Sequence, residues 1–185
     1  MLAPEGLTRL RQAAVAAAAH FGGTAEGVFD PCGLILFRPE EKYPYWCTPA
    51  NVVTFATTGG DGVHYSYLPS AAGASVCPVV MTVPMAAAEP RECNVVIAES
   101  FDEFFCLGYF VGWFSLEQLV YDRASALAYF SAPDPDHDDE WCLPRLAFIR
   151  QALKIKPGPP HEARLSELEA KYLDRLVFPE SQSAA

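Results

Sequence analysis

Asn51-Val52-Val53-Thr54-Phe55-Ala56-Thr57-Thr58-Gly59-Gly60-Asp61-Gly62-Val63-His64-Tyr65-Ser66-Tyr67-Leu68 is the stretch whose reading decides the fold. Val52 to Phe55 are β-branched or aromatic, and Val63, Tyr65 and Tyr67 alternate with His64, Ser66 and Leu68. Two such runs around a glycine cluster predict a buried β-hairpin. Glycine permits positive φ and aspartate can bond its own backbone, so Gly59-Gly60-Asp61-Gly62 reads as the turn.

A glycine-rich turn can also cradle an anion. This one lacks the Gly-Lys-Ser/Thr ending of a phosphate loop and the spaced glycines of a dinucleotide fingerprint, and it leads into a strand instead of a helix. Asp61 is the only Asp, Glu, Lys or Arg between Lys42 and Glu89. A sheet so poor in charge must be covered on both faces or present apolar surface to a partner. Flanking helices supply the cover.

Upstream, Leu7 to Phe21 reads as a helix with Leu7, Leu10, Ala14, Ala17 and Phe21 on one face, stopped by Gly22-Gly23. Leu34 to Phe37, between Pro31 and Pro39, reads as an edge strand or extended connection. Downstream, Val76 to Met85 carries two prolines and is expected to be interrupted or at an edge, and Asn94 to Ala98 is a further short strand. Ser100 with Glu103, and Ser115 with Gln118, are capping-box signatures that predict two helix starts. The second helix turns Leu116, Leu119, Val120 and Leu127 to the core. Leu146, Ile149 and Leu153 mark another helix, and Lys156-Pro157-Gly158-Pro159-Pro160 precedes a last one over His161 to Val177, with Leu165, Leu168, Tyr172 and Leu176 at helical spacing.

Helix, antiparallel strands, then a run of helices predicts an α+β fold: one domain, mainly an antiparallel sheet of about four to six strands with helices packed on it. Residues 1–132 form its body and 133–185 a C-terminal helical extension on the same domain. A chain of 185 residues can bury roughly 70% of its unfolded surface without disulfides or metals.

Thirteen Lys plus Arg against 23 Asp plus Glu give a net charge of −10, the wrong sign for binding nucleic acid or an anionic membrane. The excess acid suits attraction of a basic partner. Cys32, Cys47, Cys77, Cys93, Cys106 and Cys142 form no Cys-x-x-Cys pair. Arg9 and Arg11 before Ala13 to Ala19 imitate a signal peptide, but the alanines are weakly apolar and Glu5 precedes them. A cytoplasmic protein with reduced thiols is expected.

No catalytic, cofactor or metal set emerges. His64 stands three residues after Asp61, but His20, His137 and His161 lie in separate segments, and there is no Gly-x-Ser-x-Gly elbow. Asp134, Asp136 and Asp138 imitate the start of a calcium loop, yet Asp139 stands where glycine is needed and Arg145 where the bidentate glutamate belongs. That run reads as a solvated loop whose Asp138 or Asp139 caps the next helix. Tyr43, Tyr45, Trp46, Tyr65, Tyr109 and Trp113 supply amphipathic aromatics that anchor interfaces when exposed and fill cores when not.

The Thr-Gly-Gly-Asp-Gly turn between strands, the segment from Pro78 to Pro84, a short strand and then Ser100-Phe101-Asp102-Glu103-Phe104-Phe105 together resemble the SUKH superfamily, the Smi/Knr-like domains. The resemblance covers roughly Asn51 to Leu119. Phe105 replaces the leucine that ends the family's helix motif, and the family's Trp-rich opening is not matched at the first helix. What the resemblance implies is an α+β fold and a non-catalytic binding role; many bacterial members are immunity proteins that neutralise toxins, often nucleases. A protein partner such as a basic toxin domain follows, with Tyr45, Trp46, Asp61, His64 and Tyr65 as the candidate binding residues. Two rivals stand beside it: a small enzyme whose polar site assembles from Asp61, His64 and Glu99, and an oligomeric scaffold subunit.

Overall fold

In the computed structural model, which describes residues 3–38, 45–70, 76–110, 112–131, 140–158 and 160–180, five strands form one antiparallel meander in the order β1-β2-β3-β4-β5. They are β1 (Ile35–Leu36), β2 (Val53–Thr57), β3 (His64–Tyr67), β4 (Val79–Thr82) and β5 (Asn94–Ala98). The fold is α+β. The hairpin pairs β2 with β3, with Thr57 opposite His64 and a register shift between Thr54 and Ala56. β3 is buried throughout, whereas Val53 in β2 is exposed. The reason is that β1 spans only two residues and pairs only with Ala56 and Thr57, which leaves the far end of β2 at the margin.

β4 is not an edge strand. It lies between β3 and β5 and is wholly buried. Pro78 and Pro84 fall outside Val79–Thr82, so neither removes a ladder hydrogen bond from the strand itself.

Alternation divides the sheet's residues between two cores. Phe55, Tyr65, Val79, Met81, Val95 and Ile97 belong to the larger one, shared with α1 (Glu5–Phe21), α2 (Phe101–Leu107) and α5 (Cys142–Leu153). Val80 and Val96 belong to the second, with Leu168 and Tyr172 of α6 (Glu162–Tyr172) and Leu176. Both faces are covered, which accounts for a sheet almost free of charge. The C-terminal helices therefore pack on the same body as the sheet, α5 against α1 and α6 against β5. The last helix is shorter than expected, closing through a 3₁₀ turn at Leu173–Arg175.

The first capping signature forms: the Glu103 N–H donates to Ser100 Oγ at 3.2 Å. The second does not. Ser115 lies inside a 3₁₀ turn, Phe114–Glu117, and α3 (Gln118–Tyr121) starts without a side-chain cap. Asp122 then breaks the helix and caps α4 (Arg123–Phe130) by accepting the Ser125 N–H at 3.1 Å. Burial of Trp113 overrides the local signal, because its main chain is already held on both sides: its N–H donates to the Cys32 carbonyl at 2.7 Å and its carbonyl accepts the Tyr65 hydroxyl at 2.5 Å. Tyr43 and the acidic run 134–139, with the cap expected from Asp138 or Asp139, lie outside the described residues.

α6 is tied to the sheet through Glu99, just past β5. Its carboxylate accepts from Lys171 Nζ and the Tyr172 hydroxyl, and from Arg164 at 3.0 Å, while Arg164 also donates to Glu103 at 2.7 Å. Hydrogen bonds from Lys171, Tyr172 and Arg164 hold the Glu99 carboxyl down at about 2 against partial burial. A depressed carboxyl adds stability above its unfolded value of 4.5 that is lost as pH falls toward 2. Water reaches this cluster and screens it, so Glu99→Gln is expected to cost only about 1 kcal/mol at neutral pH, read from urea unfolding. An unchanged midpoint would show that the ties are ornamental.

Candidate protein-binding site

The hairpin turn uses its own amides. Thr58 N–H donates to the Val63 carbonyl at 3.1 Å, Val63 N–H to the Gly60 carbonyl at 3.0 Å, and Gly59 N–H to Thr57 Oγ1 at 3.2 Å. Those donors are not left to face an anion. Gly59 and Gly62 have φ of 85° and 74°, and Asp61 itself takes the left-handed conformation at 47°.

Aromatic rings close on the turn from two sides. A methyl group on Gly62 would lie 2.4 Å from Tyr45 Cζ, and one on Gly60 would lie 3.7 Å from Phe114 Cε2. Asp61, between these glycines, is exposed at the tip. Glu117 lies within electrostatic reach: burial, then the Asp61 charge, pushes its carboxyl up. Tyr121 responds to the same group, its hydroxyl pushed up by burial and then by Glu117 and Asp61. Among the described residues no Lys or Arg forms an ion pair with Asp61 or Glu117.

Four amphipathic or apolar rings stand out to solvent in this part of the molecule. Tyr45 is 37% exposed, Trp46 41%, Phe114 51% and Tyr121 48%. A carboxylate pair beside exposed aromatic faces can take an ammonium or guanidinium group, through charge and through cation–π attraction together.

Of the five residues expected from sequence, Tyr45, Trp46 and Asp61 reach the surface. His64 and Tyr65 do not; both are fully buried, so neither side chain can touch a partner in this conformation. β3 lies inside the sheet, under cover on both faces. They support the surface from beneath. His64 Nδ1 donates to the Gly62 carbonyl at 2.7 Å, and Nε2 accepts from Thr48 Oγ1 at 3.0 Å; that hydroxyl in turn accepts the Tyr45 N–H at 3.3 Å. Tyr65, by holding the Trp113 carbonyl, fixes the residue before Phe114.

Phe114, Glu117 and Tyr121 were not read from the sequence. Their spacing of three and four residues, opposite the core-facing Leu116, Leu119 and Val120, is the signal that marks a second helical face.

The three residues of the enzyme reading are not gathered. His64 pairs across the sheet with Thr82 and Asn94, whereas Glu99 follows Ala98, which pairs through Val79 with Tyr67 at the other end of the strands. Among the described residues no group of three or more His, Cys, Asp or Glu side chains is arranged to hold a metal ion. No helix among them is long and apolar enough to cross a membrane.

Compared with protein-family models, with curated proteins and with solved structures, the chain finds no match.

Proposed function

We propose that this chain is a non-catalytic, SUKH-like binding domain of the immunity-protein kind, which neutralises a basic toxin domain by seating one of its Lys or Arg side chains against Asp61 and Glu117. The observation that carries the reading is the Asp61–Glu117 couple, without an ion-paired Lys or Arg among the described residues and flanked by exposed Phe114, Tyr121 and Tyr45. Two like charges held near each other favour a cationic partner over an anionic one. A net charge of −10 steers such a partner in from a distance. The hairpin and the Ser100-capped helix on which the family resemblance is drawn are both formed. A cytoplasmic location belongs to the same proposal.

Co-expression with the toxin domain encoded beside its gene tests it, scored as host survival and as affinity by titration calorimetry. Asp61→Lys with Glu117→Lys is expected to weaken binding about 100-fold or more, mainly through slower association and a lost salt dependence. Asp61→Asn is expected to leave thermal stability equal or slightly higher, because it relieves repulsion on Glu117. A double reversal that protects as well as the parent chain sinks the assignment of this surface.

A further inference from the structure

The six cysteines are all unbridged, and five of them are buried. Three are ill suited to thiol chemistry: burial pushes Cys47 up to about 12 and Cys77 to about 11, and raises Cys93 as well. Cys47 and Cys93 also meet thiol to thiol, and Cys32 and Cys142 form a second such pair. They are 110 residues apart in sequence, yet Cys142 Sγ lies 3.3 Å from Cys32 Sγ, and the Cys32 thiol also reaches the Cys142 carbonyl at 3.5 Å.

We propose that Cys32 and Cys142 are a disulfide-forming pair that staples the first residue of α5 to the 3₁₀ turn Asp30–Cys32. A disulfide needs about 2.05 Å between sulfurs, so from 3.3 Å each has to move only about 0.6 Å, a shift of the size that side-chain rotation supplies. Both side chains are buried, and α5 packs against the 3₁₀ turn that carries Cys32.

The oxidant is a small disulfide such as oxidised glutathione. Both thiols are buried, so the exchange proceeds through local opening of the start of α5: one cysteine thiolate then attacks the oxidant, forming a mixed disulfide and releasing one small thiol, and the second cysteine attacks the protein sulfur of that mixed disulfide and expels the other. Two electrons pass to the oxidant, and the two thiol protons end on the released small thiols. The product has lost two hydrogens and closes a loop of more than a hundred residues, which restricts the unfolded chain strongly. Cys32 is also where the candidate surface is anchored, since its carbonyl accepts the N–H of Trp113, the residue before Phe114. Closing the bond holds that anchor in place.

The test is prolonged incubation of the reduced full chain with oxidised glutathione at mildly alkaline pH, alkylation of remaining thiols, and peptide mass mapping. Expected are a Cys32–Cys142 linked peptide short of two hydrogens, faster migration without reductant, and a thermal midpoint higher by roughly 5 to 15 °C that dithiothreitol reverses. Cys142→Ala is expected to lose the linked peptide and the shift together. Cys106, partly exposed, reports that oxidant is reacting with the chain. If Cys106 becomes glutathionylated while Cys32 and Cys142 are both recovered alkylated, the proposal is overturned. It is overturned equally by a Cys47–Cys93 link in its place, or by a linked product with a lowered midpoint.

Discussion

Trp113→Ala is expected to lower the unfolding free energy by about 3 to 5 kcal/mol, the largest loss of any single substitution considered for this chain. The indole is fully buried and packs on Phe104 with ring centroids 5.8 Å apart. A methyl group on Gly108 would lie 2.1 Å from Trp113 Cε2, so the ring fills the space that glycine leaves. Its Nε1 donates to the Phe104 carbonyl at 3.1 Å, which satisfies a polar atom that burial would otherwise strand. Removing it opens a cavity at the junction of β3, α2 and the Cys32 loop. A domain of this size has about 5 to 15 kcal/mol in all, so much of its stability goes. Guanidinium unfolding of Trp113→Ala and Trp113→Phe separates the two contributions: phenylalanine restores most of the volume and loses only the hydrogen bond, about 1 to 2 kcal/mol. An alanine variant within 1 kcal/mol of the parent is incompatible with the packing described.

Acid should weaken the fold through His64, beginning at pH 6.5. The imidazole is fully buried, and a carbonyl can only accept, so Nδ1 carries the proton toward Gly62 and Nε2 is the acceptor for Thr48. Burial pushes its pKa down from 6.5 to about 4, opposed by the bond to Gly62. The unfolded chain therefore binds a proton below pH 6.5 that the folded chain refuses until about pH 4. Stability contributed by the neutral ring is complete above pH 6.5 and declines as pH falls to about 4, a total of about 3 kcal/mol. Urea midpoints taken across that range should fall steadily in the parent chain, and the decline should flatten in His64→Gln. Glu99 acts later and separately, below 4.5. A parent profile flat between pH 7 and 5 would mean that the ring accepts its proton within the fold.

Elements whose signals are local were legible before any packing was known. The hairpin was legible because glycines with positive φ are confined between β-branched and aromatic runs, and β5 fell where Asn94 to Ala98 placed it. α1 ends at Gly22, and Leu165, Leu168 and Tyr172 of α6 are buried as their spacing requires. Burial of the sheet on both faces followed from its want of charge. Other features depend on residues far apart in the chain. Two prolines made the third strand look marginal, but pairing on both sides made β4 central. Trp113, held by Cys32 and Tyr65, overrode the capping signal at Ser115. Only the tertiary structure decided that Tyr45, Asp61, Phe114, Glu117 and Tyr121 share one neighbourhood, and that His64 and Tyr65 lie beneath it. A turn or a helical repeat is written in adjacent residues, whereas exposure and proximity belong to whichever distant segments come to pack against them.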